Sequence, residues 1–238
     1  MGTIAAALQA VRERIAKACA AAGREPGEVM LLAVSKTFPA QAVRAAWLAG
    51  QRAFAESYVQ EALVKQTELS ELAIEWHYIG PLQRNKTRPV AERFAWVHSV
   101  DRLELAERLS RQRPPGLPPL QVCVQVNVAA EPSKRGVHPD EALALAWQIS
   151  RLPALRLRGF MTIPPVSQET EVQRAHFRVL AQLLAQARAQ GLELDTLSMG
   201  MSQDLEAAIA EGATIVRVGT AIFGTRPAKD KQMAARSA

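Results

Sequence analysis

Two cysteines, Cys19 and Cys123, are all that 238 residues contain, and they stand far apart with no C-x-x-C spacing. Neither a disulfide framework nor a cysteine-ligated zinc site is supported, and such sparse cysteine use fits a reducing compartment, so the cytoplasm is the expected location. His98, His138 and His176 have no His or Cys partner three or four residues away, so no metal site is expected. Aromatic residues make up 5% of the chain, too few for the interleaved stacking platform of a single-strand nucleic-acid binder. No stretch approaches the roughly 18 unbroken apolar residues of a membrane span. The opening "TIAAALQAVRERIAKACAAAG" lacks a basic leading region and carries Arg12, Glu13, Arg14 and Lys17 midway, which reads as an amphipathic structural helix rather than a targeting segment.

The net charge of +6 and pI near 9.7 would suit a polyanionic partner. However, the basic residues alternate with acids in stretches such as "DRLELAERLSRQR", the pattern of a solvated surface. Nucleic acid and membrane are therefore not expected partners. The cluster Arg84, Lys86, Arg88 and Arg93 stays open as an anion-facing patch.

Hydrophobic periodicity predicts eight strands, over 29–35, 52–56, 75–79, 95–100, 120–128, 155–161, 193–199 and 214–219. Helical patterns fall between them, over 40–50, 57–72, 84–93, 101–112, 139–151, 169–190 and 203–211. Breakers such as "RPPGLPP" and "IPPVS" punctuate the series. This alternation, with strands apolar enough to be covered on both faces, argues for one α/β domain, a closed (β/α)8 TIM-type barrel. A doubly wound open sheet is the alternative, since periodicity does not report closure. With no long helix after strand eight, the N-terminal helix over 3–23 is expected to cover that gap. We expect the barrel to occupy residues 1–226 and the polar segment 227–238 to form a mobile tail.

In such barrels the C-terminal strand ends form the active face. Lys36, Glu56 with Ser57, His77, Ser99, Asn127, Thr162, Ser198 and Arg217 all fall at or near predicted strand ends. Lys36 follows the apolar run "VMLLAVS", and it is either a lysine snorkelling from the rim or a desolvated amine able to condense with a carbonyl. In "LSMGMSQDLEAAIAEGATIVRVGTAIFG", Ser198, Gly200 and Ser202 precede a helix expected near Gln203, with Ser202 at its N-cap. Gly219 and Thr220 follow the last strand. Phosphate binding after strands seven and eight is a recurrent barrel arrangement, while simple turn glycines are the plainer alternative for Gly200 and Gly219. Arg217, two residues before Gly219, faces the barrel interior or mouth. It pairs there with a carboxylate such as Glu56 or Asp204, or meets an anionic ligand or ring nitrogen. Met201 either packs in the core or lines a ring pocket. His77 reads as a hydrogen-bonded core histidine.

Taken together, "AVSKTFP", "FAESYVQEA", "WHYIGPLQRNK", "HSVD", "VQVNVAAEPSKRG", "GFMTIPP" and the 197–224 segment resemble the pyridoxal phosphate homeostasis protein family, related to the barrel domain of alanine racemase. The resemblance implies a fold-type III barrel holding pyridoxal 5'-phosphate as a Schiff base on Lys36. It implies phosphate contacts from Ser202, Gly219 and Thr220, with Arg217 facing the pyridine nitrogen. The full candidate cofactor-binding set is Lys36, Ser57, Asn127, Ser198, Gly200, Met201, Ser202, Arg217, Gly219 and Thr220. The chain departs from the family wording at Ala55 and Ser57, where glycine and asparagine are common, and at Pro81, where histidine is frequent.

The function implied is intracellular homeostasis and delivery of the cofactor, with PLP-dependent apoenzymes as recipients and no strong catalysis. A racemase-like enzyme is the alternative. The resemblance to alanine racemase implies that racemisation needs a second acid–base group from an extra C-terminal β-domain, which this sequence is not expected to supply. Its two tyrosines, Tyr58 and Tyr78, belong to the barrel. Without that domain a monomer is expected. A Schiff-base aldolase would also use a lysine and a phosphate site, with the aldehyde as substrate.

Overall fold

The computed structural model describes residues 3–131 and 134–225. The expected tail over 227–238 lies outside the described residues. Eight parallel strands pair in sequence order into a closed barrel, β1 (Met30–Val34), β2 (Ala53–Glu56), β3 (Glu75–Tyr78), β4 (Trp96–Val100), β5 (Leu120–Gln125), β6 (Leu155–Met161), β7 (Thr196–Ser198) and β8 (Ile215–Val218). The pairing of β8 with β1, from Met30 opposite Ile215 to Ala33 opposite Val218, closes it and removes the open-sheet alternative. The connecting helices are α2 (Ala40–Leu48), α3 (Val59–Glu68), α4 (Thr87–Arg93), α5 (Leu103–Gln112), α6 (Pro139–Ser150), α7 (Thr170–Ala189) and α8 (Leu205–Ala210), preceded by α1 (Ile4–Ala21) and followed by the short α9 (Thr220–Phe223). No helix among the described residues is long and apolar enough to cross a membrane.

Side chains alternate along each strand, as the pleat requires. Phe54 of β2 and Val97 of β4 face outward into the layer beneath the helices. Leu32, Val34, Ala53, Ala55, Trp96, Cys123, Met161 and Ile215 face inward and form a second, smaller apolar cluster. The buried Cys123 is thus a packing residue, and burial pushes its thiol up to about 12. The outer layer is continuous around the barrel and includes α1, whose buried stripe Leu8, Val11, Ile15, Ala18 and Cys19 repeats at helical spacing. Thr3 caps this helix by accepting from the Ala6 amide at 3.2 Å. It packs across α2, α8 and α9, covering the gap after β8 as expected.

The boundaries differ from the periodic reading in informative places. β5 ends at Gln125 rather than 128, because Val126 turns away to bridge Val137 and the Asn127 amide donates to the Val137 carbonyl. β7 is three residues long rather than seven: Leu194 is buried in the loop before it, and Asp195 forms a bidentate pair with Arg158. The helix expected near Gln203 begins at Leu205, with Asp204 rather than Ser202 at its N-cap position. The short α9 has too few residues for a period to reveal it.

Gly159 shows how tightly the barrel closes between β6 and β7. A Cβ there would lie 2.0 Å from the Thr196 carbonyl oxygen. Gly159→Ala is expected to destabilise the fold by about 1–3 kcal/mol in urea unfolding. Gly27→Ala, with nothing within 4 Å of the new methyl group, should stay within about 0.5 kcal/mol of the parent.

Candidate functional site

Lys36 lies in the turn leaving β1, and the residues on both sides of it are tied to one buried cation. Lys65, on α3 and 4% exposed, donates to the Ser35 carbonyl at 2.8 Å and to Glu56 Oε1 at 2.8 Å. Its third partner is Glu61, one helical turn away. Glu56 Oε1 also accepts from the Ser35 hydroxyl at 2.6 Å, and Glu61 Oε1 from the Thr37 amide at 2.6 Å. Thr37 has a φ of 70°, an uncommon conformation for a β-branched residue, and such positions persist only where surrounding contacts over-determine them. Glu56 is fully buried, and burial outweighs the pull of Lys65 and pushes its carboxyl up to about 7.

Above this clamp, a cavity of about 420 Å³ opens at the C-terminal ends of the strands, a volume within the range of small-molecule sites. Lys36, Met201, Ser202, Arg217, Gly219 and Thr220 line it, with Ile163 and Val166 at its partly exposed apolar wall. Ser202 belongs to the turn after β7. Arg14 of α1 donates to its carbonyl at 3.1 Å and pairs with Glu206, so the N-terminal helix holds that turn in place. Met201 is fixed by its amide, which donates to Asp204 Oδ1 at 2.5 Å. Gly219 sits where a Cβ would be 3.1 Å from the Val34 carbonyl, so the end of β8 lies close against β1. Thr220 then opens α9, and the first amides of a helix have no intrahelical acceptor. Backbone donors, hydroxyls and two cationic side chains thus share one mouth.

Arg217 is 3% exposed and faces inward. It pairs with neither Glu56 nor Asp204, correcting that expectation: Nη1 donates to Ser198 Oγ at 2.8 Å and Nη2 to the Thr162 carbonyl at 2.7 Å. Glu56 is taken by Lys65 and Ser35, and Asp204 by the 201–204 turn. Burial lowers the Arg217 pKa to about 10, which still leaves the guanidinium charged at neutral pH, and the Asp204 charge opposes the shift.

The other four expected residues do not line the cavity. Ser198 lies beneath it as the acceptor for Arg217. Gly200 stands behind it with a φ of 92°, its carbonyl accepting from the Arg217 amide, and a Cβ there would come within 2.6 Å of Ala208 Cβ. That is the work of a turn glycine packed on α8. Asn127 donates to the Glu131 carbonyl at 2.8 Å, tying the loop after β5. Ser57 lies beside Gly80, where a Cβ would be 2.1 Å from the Ser57 carbonyl oxygen. Sequence reasoning missed Lys65 and Glu61, although their i,i+4 spacing in "YVQEALVK" was the available signal. Two of the four residues in the basic cluster pair with carboxylates, Arg84 with Glu104 and Arg88 with Glu92.

This architecture is that of a broad class. The family model for the N-terminal domain of alanine racemase matches residues 6–227. A pyridoxal phosphate homeostasis protein of Pseudomonas aeruginosa is 60% identical over 226 residues, covering 95% of this chain and 97% of its own. PipY of Synechococcus elongatus, solved with PLP bound, is 40% identical with a TM-score of 0.82, covering 93% of this chain and all of its own. An alanine racemase of Clostridium difficile shares the fold at 12% identity and a TM-score of 0.73, with 92% of this chain and 58% of that chain aligned. The chain belongs to the pyridoxal phosphate homeostasis protein family.

The Lys65 clamp gives a sharp stability test. Lys65→Met should cost about 1–3 kcal/mol in urea unfolding at neutral pH, because Glu56 must then take up a proton to stay buried and the Ser35 carbonyl loses its donor. The double variant Glu56→Gln/Lys65→Met should lose less than Lys65→Met alone.

Proposed function

We propose that the barrel, residues 1–226, holds pyridoxal 5'-phosphate covalently on Lys36 and serves to store and deliver it. The observation that carries this reading is the convergence of Lys36, Arg217, Ser202, Gly219 and Thr220 on one cavity. When bound, the cofactor supplies an aldehyde that condenses with a primary amine and releases water. Lys36 is the amine. Ser202, Gly219 and Thr220 would hold the phosphate through hydroxyl and backbone N–H donors, the charge of the phosphate strengthening each bond. Arg217 would face the ring nitrogen with the N–H groups that Ser198 and Thr162 leave over.

A cationic donor at that nitrogen opposes its protonation and so weakens the ring as an electron sink. This favours retention over carbanion chemistry. The tyrosines point the same way. Tyr78 is buried and donates to the Pro81 carbonyl, and neither it nor the partly exposed Tyr58 lines the cavity. Neither is placed to move a proton at a bound amino acid. The recipients are apo forms of PLP-dependent enzymes, and the protein works as a monomer in the cytoplasm, a setting compatible with its two free, buried thiols.

Borohydride reduction of the PLP-loaded protein followed by peptide mapping tests the assignment. The pyridoxyl adduct is expected at Lys36. Lys36→Ala should take no adduct while keeping its far-ultraviolet circular dichroism, since a half-buried lysine at the cavity rim contributes little packing. An adduct at another lysine in the parent protein would reject the site.

A further inference from the structure

Between the base of the barrel and its mouth, five polar side chains form a continuous line through an otherwise largely apolar interior. Glu75 Oε1 lies 2.8 Å from His77 Nε2, and His77 Nδ1 lies 2.9 Å from His98 Nε2. His98 Nδ1 lies 2.8 Å from Ser198 Oγ, the same oxygen that Arg217 Nη1 reaches at 2.8 Å. The links come from β3, β4, β7 and β8. His77, His98 and Ser198 are wholly buried, and Trp96 stacks on His77 with ring centroids 5.3 Å apart. Glu75, the first residue of β3, keeps 44% of its side chain exposed, so the line runs from solvent to the cavity wall.

The two ends fix the direction of every proton. A carboxylate only accepts and a guanidinium only donates. Glu75 is ionised, its hydrogen bond with His77 holding it below the ordinary carboxylate value, and burial keeps both imidazoles neutral. His77 therefore carries its proton on Nε2 and accepts at Nδ1. His98 donates from Nε2 and accepts at Nδ1. Ser198 donates its hydroxyl hydrogen to His98, which leaves the lone pairs of Oγ for Arg217. A proton on His98 Nδ1 instead would strip the Ser198 hydrogen of its acceptor, at a cost in a dry interior.

We propose that Glu75, His77, His98 and Ser198 are positioning residues for Arg217, a one-way hydrogen-bond chain that clamps the guanidinium at the cavity wall and keeps its remaining N–H groups for the ligand. The acceptor at the barrel base thereby sets the orientation of a side chain at the mouth. Its consequence for cofactor binding rests on the function proposed above; the chain and its hold on Arg217 do not.

The test uses the full-length, ligand-free, ¹⁵N-labelled protein. Ring ¹H–¹⁵N correlations should show His77 and His98 both protonated at Nε2 only, and the Arg217 guanidinium should rotate slowly. A proton on His98 Nδ1 would overturn the proposal. Glu75→Lys places a donor at both ends. It should drive the His77 and His98 protons to Nδ1, so that Ser198 Oγ accepts from His98 as well as from Arg217 and its hold on the guanidinium weakens. With the Thr162 carbonyl still in place, Arg217 should rotate faster than in the parent and the dissociation constant for pyridoxal 5'-phosphate should rise severalfold. Glu75→Gln, whose carbonyl still accepts, should restore the parent behaviour in all three. A His77 proton or an Arg217 rotation unchanged by Glu75→Lys would overturn the proposal. If Glu75→Lys does not fold, Ser198→Ala removes the last link with little change in volume, and Arg217 rotation no faster than in the parent, with the Thr162 carbonyl still bound to it, would overturn it equally. A parent protein that takes up no pyridoxal 5'-phosphate would defeat the proposed function, while the ring and guanidinium signals would still decide the chain.

Discussion

The β1–β8 pairing brings the two ends of the sequence into one site. Leu32 opposite Arg217 and Ala33 opposite Val218 set a register in which the turn carrying Lys36 leaves the barrel beside the turn carrying Gly219 and Thr220. A slip of one residue would send Arg217 to the outer face and the aliphatic Val216 or Val218 to the mouth. Close approach favours the register, since a Cβ at position 219 would lie 3.1 Å from the Val34 carbonyl oxygen, leaving room for glycine. The α1 helix reinforces it from outside by packing on α8 and α9.

The barrel uses its interior unevenly. Small and apolar side chains fill one part, while a carboxylate, two imidazoles, a hydroxyl and a guanidinium occupy a single line through the rest. A buried polar network is tolerable only when its members are satisfied, and every ring nitrogen of His77 and His98 has a partner. The clamp under Lys36 follows the same logic with less complete satisfaction: Glu56 Oε2 and Thr37 Oγ1 are buried without a partner. Beneath the mouth, the structure accepts desolvated charge and a strained backbone to hold one turn, the pattern expected of a site held for function rather than for stability.

The barrel was legible because each strand is an apolar run separated from the next by helical spacing and turn residues. Lys36, Arg217 and the 200–220 glycine and hydroxyl segments were legible because they interrupt or follow such runs. Much of what organises them was not. Nothing in the sequence separates Lys65 from a surface lysine on an amphipathic helix, and only the tertiary position of α3 against β2 makes it a buried cation. His77 was readable as a core histidine, yet nothing in the spacing of His77, His98 and Ser198 announces a shared line, because their proximity arises from barrel closure. Ser57 and Asn127 were credible strand-end residues, but neither lines the cavity, and the Asn127 amide is used to tie the loop after β5. The pairing of Arg217 with a hydroxyl and a carbonyl likewise needed the register, since each nearby carboxylate was claimed by a closer donor.

The central claim is that the Lys36 amine and the Arg217 guanidinium face one ligand across a single cavity. A crystal structure of the protein grown with pyridoxal 5'-phosphate tests it most directly. The account predicts continuous density from Lys36 Nζ to the cofactor, its phosphate against Ser202 and Thr220, and an Arg217 N–H within hydrogen-bonding distance of the ring nitrogen. An empty mouth, or a cofactor seated elsewhere with Lys36 turned to solvent, would contradict it.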